Sequence, residues 1–251
     1  MERLRGRFQG VANVLRFNWH LYLLSAAFSA ACFLAAGYFG SSALYFIGTA
    51  SLLQAAVSLA VTFYVYDRSK LYSLDWLDQL SIDPKGLLIS LNAGFDETSD
   101  QIEAKFPDAE LRVFDFYDAA TQTEVSIKRA RESQERTAET TKISTSHIPL
   151  ADEQVDAAFL FFSAHEIRDA DERQRFFAEL KRVLKVHGQI VLIEHLRDLS
   201  NFLAYNIGAF HFLSRSAWRG TFSAAGIRIA DEFRITPFVS VFLLKGYGPS
   251  A

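Results

Sequence analysis

Residues 172–195 read ERQRFFAELKRVLKVHGQIVLIEH, a helical pattern followed at once by a strand pattern. Apolar side chains recur at helical spacing in the first half, and Asp169 with Glu172 three residues later forms a capping pair at its start. We predict a helix over residues 171–186, a turn at His187 and Gly188, and a buried strand over residues 189–193. This helix–strand unit is typical of an α/β domain with a parallel sheet.

The same alternation continues on both sides of this unit. Short apolar runs predict strands at residues 86–91, 110–114, 141–144, 157–162, 227–233 and 239–244. Helical patterns fall between them at residues 99–106, 124–133, 199–212 and 215–225. Strands that alternate with helices form a doubly wound sheet, which binds ligands at the carboxyl ends of its strands.

The chain has no Asp, Glu, Lys or Arg between Phe17 and Tyr66. Charges are excluded from bilayer-spanning helices, which need about 20 apolar residues each. Since residues 40–42 are turn-forming, we predict two transmembrane helices at about 17–39 and 43–66, with a cleaved signal peptide as the rival reading of the first. Residues 1–70 are then a basic segment and a membrane hairpin, 71–85 an interfacial linker, and 86–251 the α/β domain.

Charge predicts the orientation of this hairpin. Positive residues flank both helices, and the connecting turn has none, so the domain is expected on the cytoplasmic side of an inner or plasma membrane. These residues are Arg3, Arg5, Arg7, Arg16, Arg68 and Lys70. A net charge of −3 argues against nucleic-acid binding, and a single cysteine, Cys32, excludes an intrachain disulfide. Gln54 is expected to hydrogen-bond the partner helix. The oligomeric state stays open.

Three stretches carry a resemblance to a known family. They are RVFDFYD at residues 112–118, STSHIPLADEQVDAAFLFFSAHEI at 144–167, and HFLSRSAWRGTFSAAGIRI at 211–229, together with the opening unit. In this order they resemble the class I S-adenosylmethionine-dependent methyltransferases, particularly the branch that includes quinone-biosynthesis enzymes. The resemblance implies a Rossmann-like sheet of seven strands with the last antiparallel, methyl transfer, and S-adenosyl-L-methionine as cofactor.

The first loop of the domain departs from the family pattern. It reads ISLNAGFDETS at residues 89–99, with a single glycine, Gly94. Asp96 or Glu97 would supply negative charge for the sulfonium and ammonium groups, and Asp115 at the end of strand two is expected to accept both ribose hydroxyls. The resemblance implies cofactor binding at Asn92, Gly94, Asp96, Glu97, Asp115, Phe116, His147 and Ser163.

Titratable residues follow the fourth and fifth strands. His165 and His195 are the preferred bases or acceptor-orienting groups, with His211 third, because histidine titrates near neutrality. Glu166 and Glu194 would orient them. The expected substrate-binding residues are Arg168, Arg197, Tyr205 and Phe212, the last two in an apolar lid. The rival reading is an ion-pair network between the loops; the spacings match no strong metal-ligand pattern, so no metal is expected.

Together these features predict a membrane-tethered methyltransferase that acts on a hydrophobic small molecule, such as a lipid, a quinone precursor or a pigment-like acceptor. The expected partners are therefore the lipid bilayer and this acceptor. The altered first loop keeps an alternative open, a non-catalytic membrane scaffold with the methyltransferase fold. The acceptor and the methylated atom stay open.

Overall fold

The computed structural model describes residues 6–133 and 140–246, so Arg3 and Arg5 lie outside the described residues. The chain begins with two long helices, α1 (Gln9–Phe39) and α2 (Ser42–Thr62), and α2 continues as a π-helical turn (Phe63–Arg68). Gly40 joins α1 to α2 in the left-handed region, with φ +64°, which glycine adopts without strain.

Small side chains hold α1 and α2 together. Ser25 and Ser51 share a 2.9 Å hydroxyl contact, and the Gly48 backbone lies against Phe33. The outward faces are apolar and exposed, and only 6% of the apolar window of the second helix is buried. Both helices are therefore candidate membrane spans by length and composition.

The domain is built on one seven-stranded sheet in the order β3-β2-β1-β4-β5-β7-β6. The strands are β1 (Leu87–Asn92), β2 (Glu110–Asp115), β3 (Thr140–Lys142), β4 (Val155–Phe161), β5 (Leu184–His195), β6 (Ile227–Thr236) and β7 (Val239–Gly246). Six strands share one direction, and β7 runs antiparallel to its neighbours β5 and β6. The predicted Rossmann-like sheet with an antiparallel last strand is confirmed.

The remaining helices are α3 (Ser99–Lys105), α4 (Val125–Ser133), α5 (Ala170–Val183), α6 (Leu199–Tyr205) and α7 (Arg215–Ala224). The predicted turn at His187 and Gly188 is wrong, because α5 ends at Val183 and β5 starts at once. A Cβ atom on Gly188 would lie 2.7 Å from the Val155 carbonyl oxygen, so this glycine permits close strand packing. The predicted helix at 199–212 is α6 followed by a 3-10 turn (Asn206–His211).

The linker after the hairpin packs on the sheet. Leu71, Leu74 and Leu77 are fully buried in the core on one sheet face, and the indole nitrogen of Trp76 donates to the Leu71 carbonyl. These side chains cover the sheet, so the apolar residues of the linker are buried in the domain, and its interfacial position stays a prediction.

The hairpin is fastened to the domain at the start of α1. The Asp67 carboxylate accepts hydrogen bonds from the backbone N–H groups of Gly10 (2.6 Å) and Val11 (3.0 Å). An anion at a helix N-terminus satisfies free amides and complements the helix dipole. On the other side, Arg129 of α4 donates to the Phe17 carbonyl of α1. The first third of α1 therefore lies against the domain.

Candidate functional site

A cavity of about 260 Å³ lies at the carboxyl ends of β1, β4 and β5. One wall is the loop after β1 together with Ser163, His165 and His195, which follow or end the other strands. The opposite wall comes from the hairpin. It consists of Gly10, Asn13, Val14, Phe17, Asn18 and Tyr66, with Tyr72 of the linker. The site therefore joins the sheet edge to the base of the apolar hairpin.

The loop after β1 is shaped by its own side chains. Asn92 accepts a hydrogen bond from the Gly94 N–H, while its amide nitrogen is buried without a partner among the described residues. Asp96 accepts from the Thr98 and Ser99 amides and so caps α3. Glu97 accepts from Asn13 of α1 and from the Tyr72 hydroxyl, which ties the loop to the hairpin side. Asn92, Asp96 and Glu97 line the cavity, and Gly94 lies outside the lining.

Asp115 lies at the end of β2 and faces a positive side chain. Its Oδ1 accepts from the Tyr117 N–H, and its Oδ2 forms a 2.9 Å ion pair with Arg131. The guanidinium covers the Tyr117 ring at 4.4 Å, and a Cβ atom on Gly94 would lie 2.7 Å from it. In this conformation Arg131 thus occupies the space between Asp115 and the loop.

Two other expected cofactor residues lie apart from the cavity lining. Phe116 is buried in the core against Phe176. His147 is exposed, 3.9 Å from Glu179. Ser163, in contrast, lines the cavity and donates its hydroxyl to the Leu91 carbonyl, which joins the ends of β4 and β1.

His195 is enclosed by aromatic rings. Phe162 and Phe212 stack on it with centroid distances of 4.8 and 4.9 Å. Burial lowers the pKa of His195 to about 4, so the ring is neutral at physiological pH. Nδ1–H donates to the Phe238 carbonyl (2.8 Å), which leaves Nε2 to accept from the Tyr66 hydroxyl (2.7 Å). The structure thus pairs this histidine with a tyrosine of the hairpin.

The other two histidines meet at Glu166. Nε2 of His165 and of His211 lie 3.3 and 3.4 Å from Glu166 Oε1. Burial alone would lower the pKa of His165, but the carboxylates of Glu194 and Glu166 raise it to about 10. Burial alone would raise the pKa of Glu166, but hydrogen bonds and charges from the two histidines hold it far below its usual range. The predicted catalytic residues therefore lie together. The same contacts are also those of an ion-pair network between the two loops, which is the rival interpretation.

The expected substrate-binding residues do not all lie at the cavity. Arg168 donates to the His211 carbonyl and pairs with Glu124, whereas Arg197 is exposed beyond β5. Burial raises the pKa of Tyr205 well above its usual range, and its ring lies 5.6 Å from His195. Phe212 lines the cavity.

The polar side chains of the cavity suit one end of S-adenosylmethionine. The unpartnered amide nitrogen of Asn92 and the carboxylate of Glu97 at the cavity suit the polar methionine end of a sulfonium nucleoside. Asp115, at the expected ribose end, lies outside the cavity lining and is covered by Arg131, so a ribose would have to displace this guanidinium. The residues at the cavity therefore fit the methionine end of the group.

Comparison with known proteins agrees with this geometry. Residues 107–192 match the family model for a methyltransferase domain. A solved S-adenosylmethionine-dependent methyltransferase from Aquifex aeolicus aligns over 76% of this chain and 97% of its own, with 16% identity and a TM-score of 0.51. A geranyl diphosphate methyltransferase aligns over 76% and 82%, with 14% identity and a TM-score of 0.51. No curated protein sequence matches the chain.

The fold is thus that of the class I methyltransferases. The methyltransferase-domain match over residues 107–192 supports the predicted enzyme class, and S-adenosylmethionine is the cofactor of the similar Aquifex aeolicus protein.

Sequence reasoning missed the residues that reach the site from other elements. These residues are Tyr66 and Tyr72, which line the cavity, and Arg131, which pairs with Asp115. Their contacts depend on how the hairpin and α4 dock, which periodicity does not encode. The available signal was Asp67, an aspartate directly before Arg68 at the predicted membrane boundary, whose carboxylate caps α1.

Proposed function

We propose that this protein is a membrane-anchored, cytoplasm-facing methyltransferase whose acceptor is a hydrophobic small molecule that enters from the bilayer. Lipids, quinone precursors and pigment-like polyenes or polyketides are the classes that fit. The observation that carries the proposal is the shared cavity, in which strand ends of the methyltransferase sheet face Phe17 and Tyr66 of the apolar hairpin.

An apolar ledge beside the cavity supports entry from the bilayer. We define the ledge as residues 199–211, that is α6 and the turn after it. Its exposed apolar side chains are Leu199, Phe202, Leu203, Ile207 and Phe210. Gln54 of α2 donates to the carbonyls of Leu203 and Ala204, at 3.2 and 3.1 Å, rather than to α1 as expected from the sequence. The ledge therefore adjoins the candidate span.

The height of this contact is consistent with an interfacial position. Residues 21–39 and 42–58 extend roughly 25–28 Å as helices, close to the ~30 Å hydrocarbon core of a bilayer. Gln54 lies four residues before Ser58, toward the hairpin tip, and thus about 6 Å inside that layer. Helices that lie in a membrane interface bury their apolar face by about 5–10 Å. The ledge would thus sit among the acyl chains nearest the cavity.

The residues of the cavity have complementary roles in this proposal. When bound, S-adenosylmethionine supplies an electrophilic methyl group on its sulfonium. Tyr66, held by His195, presents its phenolic oxygen at the cavity, where it would orient an acceptor hydroxyl and pass the proton to the neutral imidazole. Phe162 and Phe212 exclude water from that pair.

The test is methyl transfer in a membrane. The full-length protein would be reconstituted in lipid nanodiscs with extracted membrane lipids and methyl-labelled S-adenosylmethionine. We expect label in the organic phase and its loss in the Tyr66→Phe variant, whereas Tyr64→Phe, which removes a hydroxyl from an exposed neighbour, serves as the matched control. Label that appears only in water-soluble products would contradict the proposal.

The alternative is a scaffold that keeps the fold without catalysis. It is favoured by the Arg131 guanidinium, which pairs with Asp115 where the ribose would bind. This alternative predicts no binding of S-adenosylmethionine at millimolar concentration by calorimetry. Labelled product that disappears in Asp115→Ala would exclude it.

A further inference from the structure

His165, Glu166 and His211 bring three potential metal-ligand atoms to one point at the cavity. His165 and Glu166 lie in the 3-10 turn after β4 (Ala164–Glu166), and His211 ends the turn after α6. The two Nε2 atoms and the Glu166 carboxylate oxygen lie within 4.8 Å of one another. All three residues line the cavity.

Each imidazole is oriented by a second carboxylate. Nδ1 of His165 lies 2.7 Å from Glu194, and Nδ1 of His211 lies 2.7 Å from Glu124. A hydrogen bond donated by Nδ1–H fixes the tautomer and directs the Nε2 lone pair to the opposite side, which is the usual outer shell of a metal-bound histidine. Here both lone pairs point toward Glu166.

The inner contacts are longer than the outer ones. A charge-assisted hydrogen bond between nitrogen and carboxylate is usually about 2.7–2.9 Å long, and the contacts with Glu166 measure 3.3 and 3.4 Å. A tetrahedral ion with bonds of about 2.0–2.1 Å separates its ligand atoms by roughly 3.3–3.4 Å. The two contacts with Glu166 therefore match edges of a coordination tetrahedron, and all three ligand atoms lie within 4.8 Å of one another.

The charges around this point also suit a divalent cation. Three carboxylates, Glu124, Glu166 and Glu194, surround two imidazoles, and Arg168 is the guanidinium that pairs with Glu124. With neutral imidazoles the sum is −3 + 1 = −2. One divalent cation, or two protons on the histidines, would neutralise it.

We propose that His165 Nε2, His211 Nε2 and Glu166 Oε1 bind a divalent first-row transition-metal ion, with Zn²⁺ the best match to two nitrogens and one oxygen. Three protein ligands leave a position that opens on the cavity, as in catalytic rather than structural sites. There the ion would take an oxygen or nitrogen of the acceptor. This last role rests on the proposed methyltransferase function, whereas the site itself does not.

Arg168 gives the inference a sharp test. Its Nη2 contacts both ring nitrogens of His211, Nδ1 and, at 3.0 Å, Nε2, so its positive charge competes with an ion for this imidazole. The structure offers it Glu124 as a partner at 2.8 Å when an ion is present. Arg168→Gln is therefore expected to tighten metal binding, whereas a network neutralised by protons alone predicts no metal binding in either form.

The experiment is metal titration of the full-length protein, purified in detergent with a tag that lacks histidine and freed of metal by a chelator. Titration with Zn²⁺ and with the chromophoric Co²⁺ should give about one ion per chain. His211→Asn and Glu166→Gln should weaken binding more than 100-fold, and Glu124→Gln, an outer-shell change, by about 10–100-fold. His187→Asn, an exposed histidine of β5, is the matched control.

Circular dichroism would show that each variant folds, and His211→Asn, which alters the most exposed ligand, keeps the test valid if Glu166→Gln does not. Absence of binding to the folded wild type, or binding that His211→Asn leaves unchanged, would overturn the site. Methyl transfer without metal binding overturns this inference and leaves the proposed function standing. Metal binding without binding of S-adenosylmethionine supports the site and counts against the function.

Discussion

Replacing Arg131 with methionine tests how the cofactor reaches Asp115. The guanidinium lies 2.9 Å from the carboxylate and stacks on Tyr117, so a ribose that binds Asp115 must first displace it. Methionine keeps an apolar stem of similar reach but removes the charge and the hydrogen-bonding fork. The variant should therefore bind S-adenosylmethionine more tightly than the wild type.

The expected magnitude follows from the exposure of this ion pair. The side chains of Arg131 and Asp115 are 19% and 12% exposed, between a surface pair, worth about 0–1 kcal/mol, and a buried pair, whose disruption costs about 3–5 kcal/mol. An intermediate value of about 1–2 kcal/mol corresponds to a dissociation constant that is roughly 5–30-fold lower. The free energy of unfolding should fall by a similar amount, because the Asp115 carboxylate loses its partner.

Calorimetry of the detergent-solubilised, full-length protein would measure both affinities. Lys128→Met removes the same charge from an exposed position of α4 and should leave the affinity unchanged. Asp115→Asn should weaken binding. If Arg131→Met weakens binding as much as Asp115→Asn does, the guanidinium holds the cofactor and the reasoning is refuted.

Three further outcomes are expected. Tyr66→Phe leaves His195 Nε2 without its donor, so turnover should fall while the dissociation constant of S-adenosylmethionine stays the same; a matching change in both would contradict a role at the acceptor. His195 is protonated in the unfolded chain below its usual pKa of about 6.5 but in the folded protein only below about 4, so its contribution to stability is complete above pH 6.5 and is lost as the pH falls toward 4. The loss is roughly 3 kcal/mol, and urea unfolding of His195→Asn should show a flatter dependence in this window. Ile207→Glu combined with Phe210→Glu places charge on the apolar ledge and should raise the KM for a membrane-dissolved acceptor, with binding of S-adenosylmethionine unaltered by calorimetry.

The elements that sequence reasoning predicted are those set by local periodicity. The stripe of Phe176, Phe177 and Leu180 predicted α5, and the run at residues 190–193 predicted the buried part of β5. The boundary between them was wrong because Gly188 serves a contact with Val155 of the neighbouring strand. That reason is tertiary, and a glycine after a helical run otherwise indicates a helix end.

Prediction of the site shows the same division. Strand ends of a doubly wound sheet meet at one edge, so His165 and His195 were expected together and both line the cavity. Nothing in the spacing places Arg131 on Asp115, or Gln54 on the carbonyls of α6, because these contacts join segments far apart in the chain. An uncharged stretch predicts which residues are removed from water, but it does not predict the tertiary contacts that they form.

The carboxylate of Asp67 accepts hydrogen bonds from the first amides of α1. Gly10 permits this contact, because a Cβ atom at this position would lie 2.3 Å from the Tyr66 Cβ. Truncating the protein to residues 71–251 would therefore remove one wall of the cavity along with the two apolar helices. A more soluble variant would have to keep the base of the hairpin. The exposed apolar residues near its tip would be replaced by polar ones instead of being deleted.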